Sequence, residues 1–75
     1  MEKHVFNKKL AKQIAKYRVE RKLTHGQLAK LCGNKQKQVI QRLETGTVTP
    51  SVYFVCEIAV ALKVPLGELI NFVTI

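Results

Sequence analysis

A segment near the middle of the chain combines hydrogen-bonding side chains with a complete lack of carboxylates. Between Gly33 and Leu43 there is no Asp or Glu, and most polar positions are glutamine, lysine or arginine. Glutamine can bond adenine at two atoms, lysine or arginine bonds guanine, and valine can touch a thymine methyl group. An acid-free surface also avoids repelling phosphate, whereas an ordinary solvated helix more often carries Glu as well. The candidate base-contacting residues are Gln36, Lys37, Gln38, Val39, Gln41 and Arg42.

The positive charge of the chain is concentrated towards its N-terminal half. The net charge is +8 at pH 7. Residues 1–22 carry eight Lys or Arg against two Glu, whereas residues 45–75 carry one Lys against two Glu. This segregation indicates a polyanion partner. A basic amphipathic membrane binder is the alternative, but the large apolar residues lie away from the lysine-rich segment.

Length and composition exclude several classes of protein. The 75 residues suffice for one domain with a single core. No apolar run approaches the length of a membrane span and no cleavable signal is visible, so we expect a cytoplasmic protein. Cys32 and Cys56 are far apart in the sequence, and we interpret them as reduced core thiols. Without a glycine-rich phosphate loop, a metal-ligand cluster or a catalytic pair, we expect no enzyme, no metal and no cofactor.

Apolar residues recur at helical spacing along the whole chain, which predicts an all-α fold of five helices. Gly33 can end the second helix because it adopts a positive φ without penalty. The second and third helices are too short to bury their apolar faces alone, so they must pack on each other and on the rest of the chain. The predicted helices cover about 8–21, 25–32, 35–45, 52–62 and 66–72. Their predicted N-caps include Asn7, Thr24 (in a capping box with Gln27), Asn34 and Ser51.

An ordered series of residues between Leu10 and Phe72 resembles the lambda repressor/Cro-type (XRE-like) helix-turn-helix family. The matching residues are Ile14, Tyr17, Arg18, Leu28, Ala29, Gly33, Ile40, Leu43, Glu44, Gly46, Pro50, Ser51, Ala59, Leu62, Val64, Pro65, Leu66 and Leu69. The resemblance implies a compact five-helix lambda-repressor-like domain over 1–75, with its helix-turn-helix at about 24–45. It also implies sequence-selective binding of double-stranded DNA by a transcription regulator.

The resemblance assigns further roles to individual residues. In the family, the arginine matching Arg18 pairs with the glutamate matching Glu44, and we read this pair as structural. The loop after the third helix binds phosphate in the family, and His25 stands where relatives carry a phosphate-gripping glutamine. The candidate phosphate-contacting residues are Lys9, His25, Lys35, Thr45, Thr47 and Thr49.

The spacing from Leu28 to Glu44 is one residue longer than is usual in that family. If the extra residue lies in the turn at 33–36, Ile40 and Leu43 face the core. Otherwise Val39 and Arg42 would be buried. Burying an unpaired arginine costs far more than lengthening a loop, so we place the extra residue in the turn.

The helix predicted at 52–62 is apolar nearly all round and needs a second partner surface. We assign residues 51–75 to dimerisation, with an interface of Tyr53, Phe54, Val60, Phe72 and Ile75. The alternative is that the apolar tail folds back over the core. The predicted function is a homodimeric repressor on an inverted-repeat operator. Its rival is an antitoxin or adaptor whose main partner is another protein, such as a toxin or a second regulator.

Overall fold

Five helices make up the computed structural model, which describes residues 1–73. No strand occurs in this range, so the all-α prediction is confirmed. None of the helices in residues 1–73 has the length and apolar character needed to cross a membrane. The helices are α1 (Lys3–Glu20), α2 (His25–Leu31), α3 (Lys37–Glu44), α4 (Val52–Leu62) and α5 (Leu66–Leu69).

Helix α1 begins at Lys3, well before the predicted start near residue 8. Asn7 is therefore not an N-cap: it lies inside the helix and is buried. The hydroxyl of Thr49 donates a hydrogen bond of 2.8 Å to Asn7 Oδ1. The extra N-terminal turn packs Phe6 against Phe72, with ring centroids 5.6 Å apart. Tertiary contacts thus extend the helix past its predicted cap.

The turn between α2 and α3 accommodates the extra residue. Gly33 has φ 77° as predicted, but Asn34 has φ 60° and is not the N-cap, because α3 begins only at Lys37. The Asn34 N–H donates to Lys30 O at 3.0 Å, and the Lys35 N–H donates to Ala29 O at 2.9 Å. These bonds satisfy carbonyls at the end of α2, so the longer turn leaves little backbone unpaired.

Every helix contributes to one core. Ile40 and Leu43 are buried on α3 while Val39 and Arg42 face outward, which confirms the predicted register of that helix. The main buried side chains are Leu10, Ile14, Leu28, Ala29, Cys32, Ile40, Leu43, Val55, Ile58, Ala59, Leu62 and Leu69.

Two helix faces differ from the prediction. The sequence pattern places Leu31 with Leu28 and Cys32 on a buried face, but Leu31 is exposed, because α3 and α4 cover the opposite side of α2. Burial raises the pKa of the Cys32 thiol to about 11. Cys56 is a free thiol that is only partly buried, so it is less of a core residue than expected.

The start of α4 agrees with the prediction, whereas the end of α5 does not. Ser51 caps α4 as predicted, since its side chain accepts a bond of 3.1 Å from the Phe54 N–H. Helix α5 ends at Leu69, short of the predicted end near residue 72.

Candidate nucleic-acid interface

The outward side of α3 brings all six candidate base-contacting residues onto one surface. Lys37, Gln38, Gln41 and Arg42 are exposed on the helix, and Gln36 is exposed as its N-cap. Val39, 39% exposed, lies among them. Ile40 and Leu43 hold the opposite side in the core, so the polar side chains must project from the domain. This surface carries hydrogen-bond donors and acceptors and no carboxylate.

An ion pair fixes the C-terminal end of α3 to α1. Arg18 Nε donates to Glu44 Oε2 at 2.7 Å, and Arg18 Nη2 donates to Glu44 Oε1 at 3.2 Å. A third bond of 2.8 Å runs from Arg18 Nη1 to Leu23 O. The two side chains are only 15% and 11% exposed. This two-bond geometry restricts the orientation of α3 more strongly than a single contact would.

His25 is held by the same carboxylate. Its Nε2 lies 3.1 Å from Glu44 Oε1, which links the start of α2 to the end of α3. A neutral imidazole has one N–H donor, and a carboxylate can only accept. In the neutral ring of His25, the single N–H group donates to Glu44, so the ring has no further N–H group for a phosphate. The phosphate contact predicted for His25 requires the protonated ring.

The threonine hydroxyls of the loop after α3 are exposed, but each one donates a hydrogen bond within the protein. Thr45 Oγ1 donates to Arg42 O, so Thr47 Oγ1 is the donor in its 2.7 Å contact with Thr45 Oγ1. The hydroxyl of Thr49 donates to Asn7. The backbone N–H groups of Thr45 and Gly46 donate to Arg42 O and Leu43 O, and that of Thr47 donates to Thr45 Oγ1. The loop can therefore offer a phosphate the backbone N–H groups of Val48 and Thr49 rather than the predicted hydroxyls.

Two lysines of α1 that are not among the candidate phosphate-contacting residues named above lie beside this loop. Lys8 and Lys12 line a small cleft together with Thr45 and Gly46. Gly46 has φ 77°, and a Cβ on it would lie 3.1 Å from the Cα of Lys8, so the approach of loop to helix requires glycine. In the sequence, Lys8 and Lys12 are four residues apart, which predicts that they lie on the same side of a helix. Nothing in that spacing predicts that the loop lies beside them.

Lys9 and Lys35 have partners within the domain. Lys9 Nζ lies 6.0 Å from the centroid of the Phe72 ring. Lys35 Nζ lies 3.4 Å from Glu57 Oε1 and 5.1 Å from the centroid of the Phe54 ring. Both ammonium groups are thus directed towards neighbouring side chains, which makes them weaker phosphate candidates than Lys8 and Lys12.

An apolar cleft of about 290 Å³ adjoins the outward side of α3. Val39, Val48, Pro50 and Phe54 supply its apolar lining. Polar candidate base-contacting residues complete the wall, namely Gln36, Gln38 and Arg42. Phe54 is half-buried here rather than free for a subunit interface.

The predicted interface residues do not form one surface. Tyr53 and Val60 are exposed along one stripe of α4, with Val60 78% exposed. Phe72 packs on Phe6, as the alternative of a folded-back tail expects. Ile75 lies outside the described residues.

A different apolar groove, the α4–α5 groove, runs between these two helices and the start of α1. We define it by Phe6, Pro50, Val52, Val55, Leu66, Ile70 and Val73, none of which is charged. Helical spacing from Val55, Ala59 and Leu62 predicts that Val52 also faces the core, but Val52 is 77% exposed, so that prediction is wrong. The first turn of α4 extends beyond the core, and the periodicity of an all-apolar helix does not reveal that.

Comparison with known families matches residues 14–69 to a helix-turn-helix family model. Neither the search of curated proteins nor the search of solved structures found a significant match. The family match spans most of the chain and includes α2, α3 and the Arg18–Glu44 pair. The chain therefore belongs to the lambda repressor/Cro-type (XRE-like) helix-turn-helix family of DNA-binding transcription regulators.

Proposed function

We propose that this regulator is a homodimeric repressor that inserts α3 into the major groove of an inverted-repeat operator. The observation that carries this proposal is the exposed, acid-free side of α3, held in place by the Arg18–Glu44 pair. Occupancy of the operator excludes RNA polymerase, so no chemical step by the protein is needed. We also assign the protein to the cytoplasm.

The chemical type of each outward side chain on α3 suggests which base it contacts. Gln36, Gln38 and Gln41 suit adenine, while Lys37 and Arg42 suit guanine. Val39 lines the apolar cleft, and we assign it to contact with a thymine methyl group. The half-site should therefore contain both A·T and G·C pairs.

Phosphate contacts position this helix. We assign the main contacts to Lys8, Lys12 and the backbone N–H groups of Val48 and Thr49. Lys9, His25 and Lys35, together with the side chains of Thr45, Thr47 and Thr49, take secondary roles because each already has a partner within the domain.

The second copy of the chain binds at the α4–α5 groove. Pro50 lines both this groove and the cleft beside α3, so a two-fold axis here brings the two α3 helices near each other. The two α3 helices must lie near the two-fold axis if they are to reach half-sites that are one helical turn, roughly 34 Å, apart. None of the described residues that line the groove is charged, which favours contact between two copies that each carry +8.

Selection of binding sites from random DNA duplexes tests the proposal. We expect an inverted repeat with half-site centres about 10 base pairs apart. Enrichment of an asymmetric site would contradict the two-fold dimer, and no enrichment would contradict sequence-selective binding. Gel filtration addresses the rival function, an antitoxin or adaptor: a stable homodimer supports the repressor, whereas an aggregating chain supports a missing protein partner.

A further inference from the structure

A second apolar surface lies on the other side of α4, between α4 and α2. We name it the α2–α4 groove and define it by Leu23, Leu31, Tyr53, Cys56, Val60 and Ala61. Leu31, Tyr53 and Val60 are among the most exposed large apolar side chains of the described chain. Two adjoining depressions share Leu31 and Val60, so the groove is continuous along α4.

One end of this groove is cationic. Arg21 and Lys63 line it there, and Lys30 is exposed next to Leu31. Arg21 Nε donates a bond of 2.8 Å to Leu62 O, the last residue of α4, which holds the guanidinium at the groove end. Its terminal nitrogens can still bond a carboxylate without a large loss of side-chain freedom. The groove thus combines apolar contacts with a pre-oriented site for acidic groups.

The acidic residue that lines the groove is already neutralised. Glu57 lies 3.4 Å from Lys35 Nζ. A second copy of this chain would therefore bring the cationic groove end to a surface with little free negative charge. The α4–α5 groove lacks that obstacle, and a closed two-fold dimer uses one surface on each copy. The second copy leaves the α2–α4 groove open.

We propose that the α2–α4 groove binds an acidic amphipathic helix of another protein. The apolar side chains of that helix lie over Leu31 and Val60, and its carboxylates pair with Arg21 and Lys63. Tyr53 and Val60 are seven residues apart on α4, a span of about 10 Å, so two turns of the partner suffice to cover them. The inference rests on the proposed function only in assigning the α4–α5 groove to the second copy.

The chain offers a matched pair of variants for the test. Val52 and Val60 lie on the same helix, and they are 77% and 78% exposed. Val60→Gln alters the α2–α4 groove and Val52→Gln alters the α4–α5 groove. Since both side chains already face water, neither glutamine burdens the core.

The probe is a synthetic helical peptide of about four turns with leucine on one face and glutamate on its flanks. A second peptide carries lysine in place of every glutamate. Binding to the full chain is measured by NMR titration, which also locates the site. We expect the acidic peptide to shift the methyl signals of Leu31 and Val60. Val60→Gln should weaken binding about tenfold or more, whereas Val52→Gln should leave it within about twofold.

Several results would overturn the inference. These are no binding of the acidic peptide, equal binding of the lysine peptide, and equal affinity for the Val60→Gln variant. Displacement of the peptide by duplex DNA would place it on α3 instead. Loss of the dimer in Val60→Gln would make this groove the homodimer interface. None of these readouts requires an operator, so failure here is distinguishable from failure of the proposed function.

Discussion

Helices α3 and α4 meet the same core and present opposite chemistry to the solvent. Helix α3 buries Ile40 and Leu43, and α4 buries Ile58 and Leu62. The outward side of α3 is polar and acid-free, whereas α4 exposes large apolar side chains on two sides. The buried stripes hold both helices in the core and leave the outward side chains exposed. We propose that these outward side chains serve binding partners, DNA for α3 and protein for α4.

The largest expected effect concerns how each helix is held. Glu44→Ala should lower the free energy of unfolding by about 3 kcal/mol, because Arg18 is left largely buried without its partner. Glu57→Ala on α4 is the control: its side chain is 23% exposed and pairs with Lys35 at 3.4 Å, so we expect a loss below about 1 kcal/mol. Urea unfolding measures both. Equal losses would show that α3 is not specially anchored.

The next effect separates the two apolar sides of α4. Val52→Gln should reduce operator affinity about 100-fold, because a monomer loses the advantage of binding two linked half-sites. Val60→Gln should leave operator affinity unchanged. Sedimentation and fluorescence anisotropy give the oligomeric state and the affinity. A monomeric Val60→Gln variant beside a dimeric Val52→Gln variant would reverse our assignment of the two grooves.

A smaller effect tests the outward side of α3. Gln38→Ala and Arg42→Ala should each relax base preference at one position of the half-site by about 1–3 kcal/mol. Tyr53→Ala, an exposed substitution on α4, should leave the selected sequence as it is. Repeating the site selection with each variant provides the measurement. Unchanged preference in both α3 variants would reject this helix as the reader.

The smallest effect decides which part of α1 joins α3 on the DNA. Lys8→Ala and Lys12→Ala should each reduce the slope of log affinity against log salt by about 0.9. Lys9→Ala should change the slope less, since Lys9 lies over the Phe72 ring. Affinities measured between low and physiological salt give the three slopes. A larger change for Lys9 than for Lys8 would return the phosphate contact to the residue first predicted.

Local chemistry explains the parts of the fold that could be predicted. Thr24 and Gln27 form their capping box, with bonds of 2.8 and 3.1 Å, and Ser51 caps α4. Such caps act within four residues, so the sequence displays them directly. The start of α1 was missed because the contacts that extend it come from Thr49 and Phe72, which are remote in sequence.

The same distinction holds for the interface. The outward side of α3 followed from helical periodicity and from the cost of burying Arg42. The same reasoning does not predict which lysines of α1 contact phosphate, because that depends on the position of Gly46 against Lys8. The engagement of His25 with Glu44 also depends on the approach of two helix ends. No local rule predicts that approach.

By itself, the sequence determined the helical class and the acid-free segment of α3, because helical periodicity, caps and charge depend on residues that are close in the chain. The family followed from the resemblance of an ordered series of residues, which the match over residues 14–69 confirms. Only the tertiary structure decided that the α4–α5 groove shares Pro50 with the cleft beside α3, whereas the α2–α4 groove shares no lining residue with that cleft. A helix that is apolar all round has no periodic signal to tell its sides apart. Helix α4 forms one groove with α2 and another with α5. The positions of these grooves depend on packing between residues that are distant in the sequence.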